Sequence, residues 1–419
     1  MVAALLVMAL AAGASAARTR VVFWTSHTAA TDRAGIEKIV KAFNESQDQY
    51  EAVVQFVPGA ETDVARLMTA VAGGTGPDAY LLDRFTVAQR AAAGVLTDLT
   101  PFIKEAGWDA EKDYLPFAWA EVLWNGRVWG LPFDTDARAL WYRKDHFAQA
   151  GLDAEHPPQT IAQLDQAVEK LTQRRGPRII RLGLLPWAFQ GWHYTWGWAF
   201  GGEFYDAESR KLTVNDPRIV ESFAWQKSYA DKYGVQALQS FSSAFGQEAQ
   251  DPFIAGQLSM AVDGDWRIAV IRTFAPNLSY GIGRIPTKEG VAPVTWAGGW
   301  SIVVPKGAKN PKGGFAFARF FTGPEGQRIY TVDTAHMPTH VALQKLPEML
   351  ADKDHAFFAN LLPTAKSRPP LPVGGLLWDE LTAARDYVIN GQKLPKQALD
   401  DVIKRVQPEL DKAFQQAGK

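Results

Sequence analysis

Asp134 with Asp136 and Asp263 with Asp265 form two closely spaced carboxylate pairs. Glycoside hydrolysis needs two carboxyls roughly 5–10 Å apart, one acting as acid and the other as base or nucleophile. Alternate residues of an extended segment point to opposite faces, so neither pair makes such a dyad alone. An Asp at a strand end more often closes a turn. A hydrolase would therefore need carboxylates converging from different segments. His336 and His340 are four apart, as two metal ligands on a helix face would be, but Pro338 between them disfavours the helix. Residues 73–78, Gly-Gly-Thr-Gly-Pro-Asp, lack the Gly-Lys-Ser/Thr ending of a phosphate cradle, and Gly281-Ile282-Gly283-Arg284 lacks the third Gly of a dinucleotide turn. Cys is absent, which removes disulfides, thiolate metal sites and Cys nucleophiles. No catalytic residue, metal or cofactor is expected.

Large flat rings are the unusual resource of this chain, with Trp 15, Tyr 11 and Phe 23 among 419 residues. Most Trp residues pack cores. Those set among Gly and polar neighbours are better candidates for a site: Trp192-His193-Tyr194, Asp265-Trp266-Arg267 and Trp296-Ala297-Gly298-Gly299-Trp300. A sugar ring offers a C–H face that packs on indole and a hydroxyl rim that seeks carboxylate, Arg and amide partners.

The elements that must position these groups follow from composition and period. At ~100–200 residues per domain the length implies two or three domains. Lys+Arg 44 against Asp+Glu 45 gives a net charge of -1, which offers no global attraction to nucleic acid or anionic lipid. Hydrophobic content of 47% and charged content of 21% are those of a globular protein. Residues 2–12 form an apolar run followed by Gly13-Ala14-Ser15-Ala16; it is shorter than the about 20 residues needed to span a bilayer. Residues 1–17 are set aside as a signal peptide with cleavage expected after Ala16, although no basic residue precedes the run. Without a Cys to acylate, the mature protein is expected to be free in the periplasm.

Val21-Val22-Phe23-Trp24 reads as a buried strand, and Thr31-Asp32 as the cap of a helix striped by Ile36, Ile39, Val40 and Phe43. A strand at 53–57, a helix striped by Val64, Leu67, Met68 and Val71, and a strand at 79–82 continue the alternation. That order implies an α/β domain with a largely parallel sheet and a ligand crevice at the carboxyl ends of the strands. Further strands are expected at 258–262 and 302–304. Two helical stripes follow, one through Leu377, Leu381, Ala384 and Val388 and one through Leu399, Val402, Ile403 and Val406, with Pro408 restarting or kinking the latter. There is no repeat and no long linker, so short crossings that suit a hinge must join the domains.

Several passages, taken in order, resemble one family. They are Val21-Val22-Phe23-Trp24, Ala42-Phe43-Asn44, Gly76-Pro77-Asp78, Leu99-Thr100-Pro101, Gly130-Leu131-Pro132-Phe133, Leu140-Trp141-Tyr142-Arg143-Lys144-Asp145, Pro158-Gln159-Thr160, Gly256-Gln257-Leu258-Ser259-Met260 and Pro305-Lys306-Gly307. Their order and spacing are similar to those of extracellular solute-binding proteins of bacterial ABC transporters, in the sugar-binding group that includes maltose-binding protein. The resemblance implies a periplasmic-binding-protein fold: two α/β lobes, a ligand cleft and a hinge crossed more than once. It divides the chain into a first lobe of 18–130 plus 286–337 and a second of 131–285 plus 338–419, with Leu131-Pro132-Phe133-Asp134 as the first crossing.

By the same resemblance Asp83 and Arg84 hold sugar hydroxyls, Asp136 is a carboxylate just past the crossing, and Trp266 and Trp378 stack on the ligand. Gly299, Trp300 and Arg368 line the cleft, His193 and Tyr194 lie at the cleft aromatic, and His27 is a polar contact of the first lobe. The implied protein is no enzyme but a monomeric receptor for a mono- or disaccharide, a glucoside foremost, that delivers it to ABC permease subunits in the inner membrane. Asp83 and Asp136 against Arg84 and Arg368 balance for a neutral ligand. A polyol or glycerophosphate receptor of the same family stays open as the alternative, and a secreted glycoside hydrolase behind it.

Overall fold

The computed structural model describes residues 17–58 and 65–418. The expected cleavage site after Ala16 and the stripe residue Val64 lie outside the described residues.

The apolar run at 21–24 forms the strand Thr19–Thr25, which pairs in parallel with Tyr50–Phe56 and Ala79–Asp83. Parallel neighbours need crossover helices, which Ala30–Ser46 and Ala65–Ala72 supply. Ile36, Ile39, Val40 and Phe43 face the sheet and are buried, each contributing roughly 1.5–3 kcal/mol. Phe317 and Phe321 of helix Pro311–Phe321 close the core against Phe23 at 5.1 and 5.2 Å. The expected largely parallel sheet is only half so. Trp300–Val303, returning from the other body, lies antiparallel to Ala79–Asp83, and Leu131–Pro132, on its way out of the first body, pairs antiparallel with Trp300–Val303.

That second body is built on the strand Arg138–Arg143, flanked antiparallel by Met260–Gly264 and Tyr280–Gly283. The strand expected at 258–262 thus runs two residues later, which brings Asp263 into the strand and leaves Asp265 just past its end. Helices Pro217–Tyr233, Gly374–Ile389 and Pro395–Ala417 share one apolar cluster through Phe223, Leu377, Leu381, Leu399 and Val406. The last helix continues through Pro408, with neither a restart nor a break.

Three segments join the bodies. Leu131–Pro132 belongs to the first sheet, while Asp134–Thr135, immediately after it, pairs with Met337–Pro338. Residues 286–297, expected on the first lobe, make their contacts with the second. Thr287 N donates to Gln159 O at 3.1 Å, Lys288 N to Ala199 O at 2.9 Å, and Thr295 Oγ1 to Arg138 O at 2.7 Å. The chain leaves Tyr280–Gly283 still bound to that body and joins the first sheet only at Trp300. Among the described residues no helix is long and apolar enough to cross a membrane.

Gly299 is the tightest point of this junction. Its φ is 129°, and a Cβ there would overlap Asp134 O and Arg84 Nη1. Gly299→Ala is expected to lower stability by about 2–3 kcal/mol through strain and clash, read as a fall in the thermal midpoint. An unshifted midpoint would show that the crossing yields freely.

Candidate ligand-binding site

Between the two bodies lies a cavity of about 430 Å³. The first body presents Ser26, His27, Thr28, Ala29, Asp32 and Asp83 to it, all at or just beyond the carboxyl ends of parallel strands. The second presents Arg138, Gln190, Trp192, Trp266, Trp296, Arg368 and Trp378, and the crossing segments supply Asp136, Gly299, Trp300 and His336.

Two of its carboxylates are each paired to a guanidinium. Arg368 Nη2 donates to both oxygens of Asp83 at 2.8 and 2.9 Å, while its guanidinium lies 3.6 Å from the Phe85 ring centre. Asp136 Oδ1 accepts from Arg138 Nη1 and from Gly298 N, the latter at 2.7 Å. The Arg138 guanidinium also stacks 3.9 Å over Trp296. Both arginines thus lie over aromatic rings and are bonded to their carboxylates, so neither is an unpaired cation awaiting an anion.

The apolar surfaces are indoles. Trp378 is half-buried, with Trp192 at 4.9 Å and Trp296 at 6.1 Å between ring centres. Trp266 lies nearly parallel to His336 at 5.6 Å, and Trp300 meets the edge of His27 at 4.3 Å. Five indoles therefore face one cavity whose polar groups are mostly carboxylate, guanidinium and amide.

The floor is a polar cluster in which Asp134 and His336 are buried and His27 and Asp32 half-buried. His27 Nδ1 lies 3.1 Å from the Tyr330 hydroxyl, which also hydrogen-bonds Asp32. Burial pushes His27 and His336 down to about 3, so both rings are neutral at pH 7. It also pushes Asp32 up to about 6 and Asp134 up to about 8. Asp134 Oδ1 accepts from Trp300 N at 2.7 Å, and its Oδ2 is 3.4 Å from His336 Nδ1.

Of the residues expected in the site, His27, Asp83, Asp136, Trp266, Gly299, Trp300, Arg368 and Trp378 line the cavity. Arg84, His193 and Tyr194 do not. Arg84 is fully buried, its Nε donating to Glu121 Oε2 at 2.8 Å and its other nitrogens to Asp134 O and Gly298 O. His193 and Tyr194 are buried behind Trp378, with ring centres 4.8 and 6.2 Å from it, and so support the wall rather than form it.

Sequence reasoning missed Asp32, Arg138, Gln190 and His336 as lining residues, and it picked out Trp192 and Trp296 only as members of ring-bearing stretches. Arg138 had a signal, since it stands two residues past Asp136 on an extended segment and shares its face. Asp32 was read as a cap, but the helix begins at Ala30 and Asp32 falls in its first turn, making no cap hydrogen bond. His340 caps the turn Val341–Leu343 by accepting from Ala342 N at 3.3 Å, away from His336.

Residues 28–328 match the bacterial extracellular solute-binding protein family. The chain is 26% identical to the sn-glycerol-3-phosphate-binding periplasmic protein UgpB of Rhizobium meliloti, over 93% of each chain. Among solved structures it superimposes on CpMnBP1 with mannobiose bound at a TM-score of 0.84 and 25% identity, covering 92% of this chain and 99% of that one. Maltose-bound T. maritima MalE3 has the same fold at a TM-score of 0.76 and 21% identity, with 94% and 100% covered.

Proposed function

This chain belongs to the bacterial extracellular solute-binding protein family, and we propose that it is the sugar receptor of an ABC importer. It takes a mono- or disaccharide into the interlobe cavity and hands it to a permease. The observation that carries this reading is the pairing of five indoles with Asp83–Arg368 and Asp136–Arg138 in one cavity. Ring faces pack on indole while hydroxyls bond to carboxylates and guanidiniums already fixed in place.

The lobes divide where contacts change partner, at 132–136, 297–300 and 334–337. Closure about these crossings buries the sugar, and the closed shape is the one a permease would read. The working location is the periplasm and the working state a monomer. In this reading no bond is made or broken, and the two paired carboxylates serve to hold hydroxyls.

Calorimetric titration against α-glucosides, β-glucosides, mannobiose and monosaccharides tests the reading. Saturable binding of at least one of them is expected, and silence across the panel overturns it. The likeness to UgpB supports a second reading, a glycerophosphate receptor. A phosphate needs several converging free donors; here both guanidiniums are spent, and the helix start that faces the cavity carries Asp32. Glycerol 3-phosphate is therefore expected to be inert in the same titration.

A further inference from the structure

With Arg84 withdrawn from the cavity and Asp32 added to it, the charge balance differs from the one the sequence implied. Three carboxylates, Asp32, Asp83 and Asp136, face two guanidiniums, and each guanidinium already has a partner. Asp32 is the carboxylate left over. Among the described residues its side-chain partner is the neutral Tyr330 hydroxyl, and no Arg or Lys stands against it. His27 and His336, the basic side chains at this end of the cavity, are uncharged at pH 7. The first turn of helix Ala30–Ser46 offers only a partial positive charge.

We infer that the ligand brings the missing cation, so that the cavity takes an amino-bearing saccharide with its ammonium seated on Asp32. The inference rests on the saccharide reading above and narrows it. Trp266 and Trp300 are at this same end of the cavity, next to His336 and His27, and indole faces attract an ammonium as well as a C–H face. A half-buried carboxylate without a counter-charge is held at a cost, whereas one that accepts N⁺–H bonds is among the stronger contacts a site can make.

The test compares matched sugars on the full mature chain at pH 7.5 by calorimetry: glucose against glucosamine, and cellobiose against the β-1,4 dimer of glucosamine. The amino member of a pair is expected to bind at least about tenfold more tightly, the scale of one charge-assisted bond. In Asp32→Asn that ratio is expected to collapse toward unity. Equal or tighter binding of the neutral member in the wild type overturns the inference and leaves the saccharide reading standing. A ratio that survives in Asp32→Asn overturns the placement. Silence toward all four sugars and the wider panel overturns the saccharide reading and this inference with it. The wild-type comparison decides the matter even if the variant folds poorly.

Discussion

Replacing Arg84 with Met is expected to lower unfolding stability by about 3–5 kcal/mol, the cost of leaving one partner of a buried ion pair alone. Arg84 is 0% and Glu121 2% exposed, so the pair is out of contact with bulk solvent and Glu121 is left buried when the guanidinium goes. The same side chain binds Asp134 O and Gly298 O, which lie on two different crossing segments, so its loss also frees two buried carbonyls at the hinge. Glu121 gives the prediction a pH signature. Burial already holds its carboxyl above the usual carboxylate range despite the attraction of Arg84, and without Arg84 it rises further. A carboxyl whose folded value exceeds its unfolded value binds a proton on folding, so stability falls as pH rises through that window. The gap in thermal midpoint between wild type and variant should therefore be wider at pH 8 than at pH 5. Arg84→Met with Glu121→Leu should regain much of the loss, because the orphaned charge is removed. If Arg84→Met instead melts like the wild type but binds sugar poorly, Arg84 is a ligand contact, as the resemblance implied.

Arg84 marks the limit of what the sequence discloses. Its neighbour Asp83 enters the cavity, and one residue further along the strand end the side chain turns into the hinge. Adjacent residues point to opposite sides, and only the location of the second lobe decides which side is the site. The first lobe was legible because its strands and helices are long and periodic, with the Ile36, Ile39, Val40 and Phe43 stripe buried as its spacing predicts. Segment 286–297 was not, because its attachment depends on hydrogen bonds to Gln159, Ala199 and Arg138, far away in sequence. The lining residues run from Ser26 to Trp378 and converge through three crossings. Local pattern could single out Trp296-Ala297-Gly298-Gly299-Trp300 as a ring-bearing stretch, and both its indoles do line the cavity. It could not foresee that Trp296 would be pinned under Arg138.

Trp266→Ala is expected to weaken binding of the tightest sugar in the panel by about 2 kcal/mol or more, a rise in Kd of roughly thirtyfold. The indole is positioned by its own backbone: a Cβ on Gly264 would overlap the Trp266 ring, so only Gly there lets the side chain lie back over the strand end. His336 on one side, nearly parallel at 5.6 Å, and the Arg138 guanidinium at 5.5 Å from the ring fix its tilt. A ring held this way loses little freedom when a sugar packs on it, which is what makes such a residue costly to remove. Trp266 is only partly buried, so its removal opens no core cavity and the thermal midpoint should stay near that of the wild type. Trp296 is the contrast. At 2% exposed and beneath Arg138, its truncation to Ala should lower both the midpoint and the affinity, because the guanidinium that bonds Asp136 loses its support. Affinity and stability measured on both variants thus separate a ring that meets the ligand from one that holds the wall. An unchanged Kd for Trp266→Ala would remove that indole from the site.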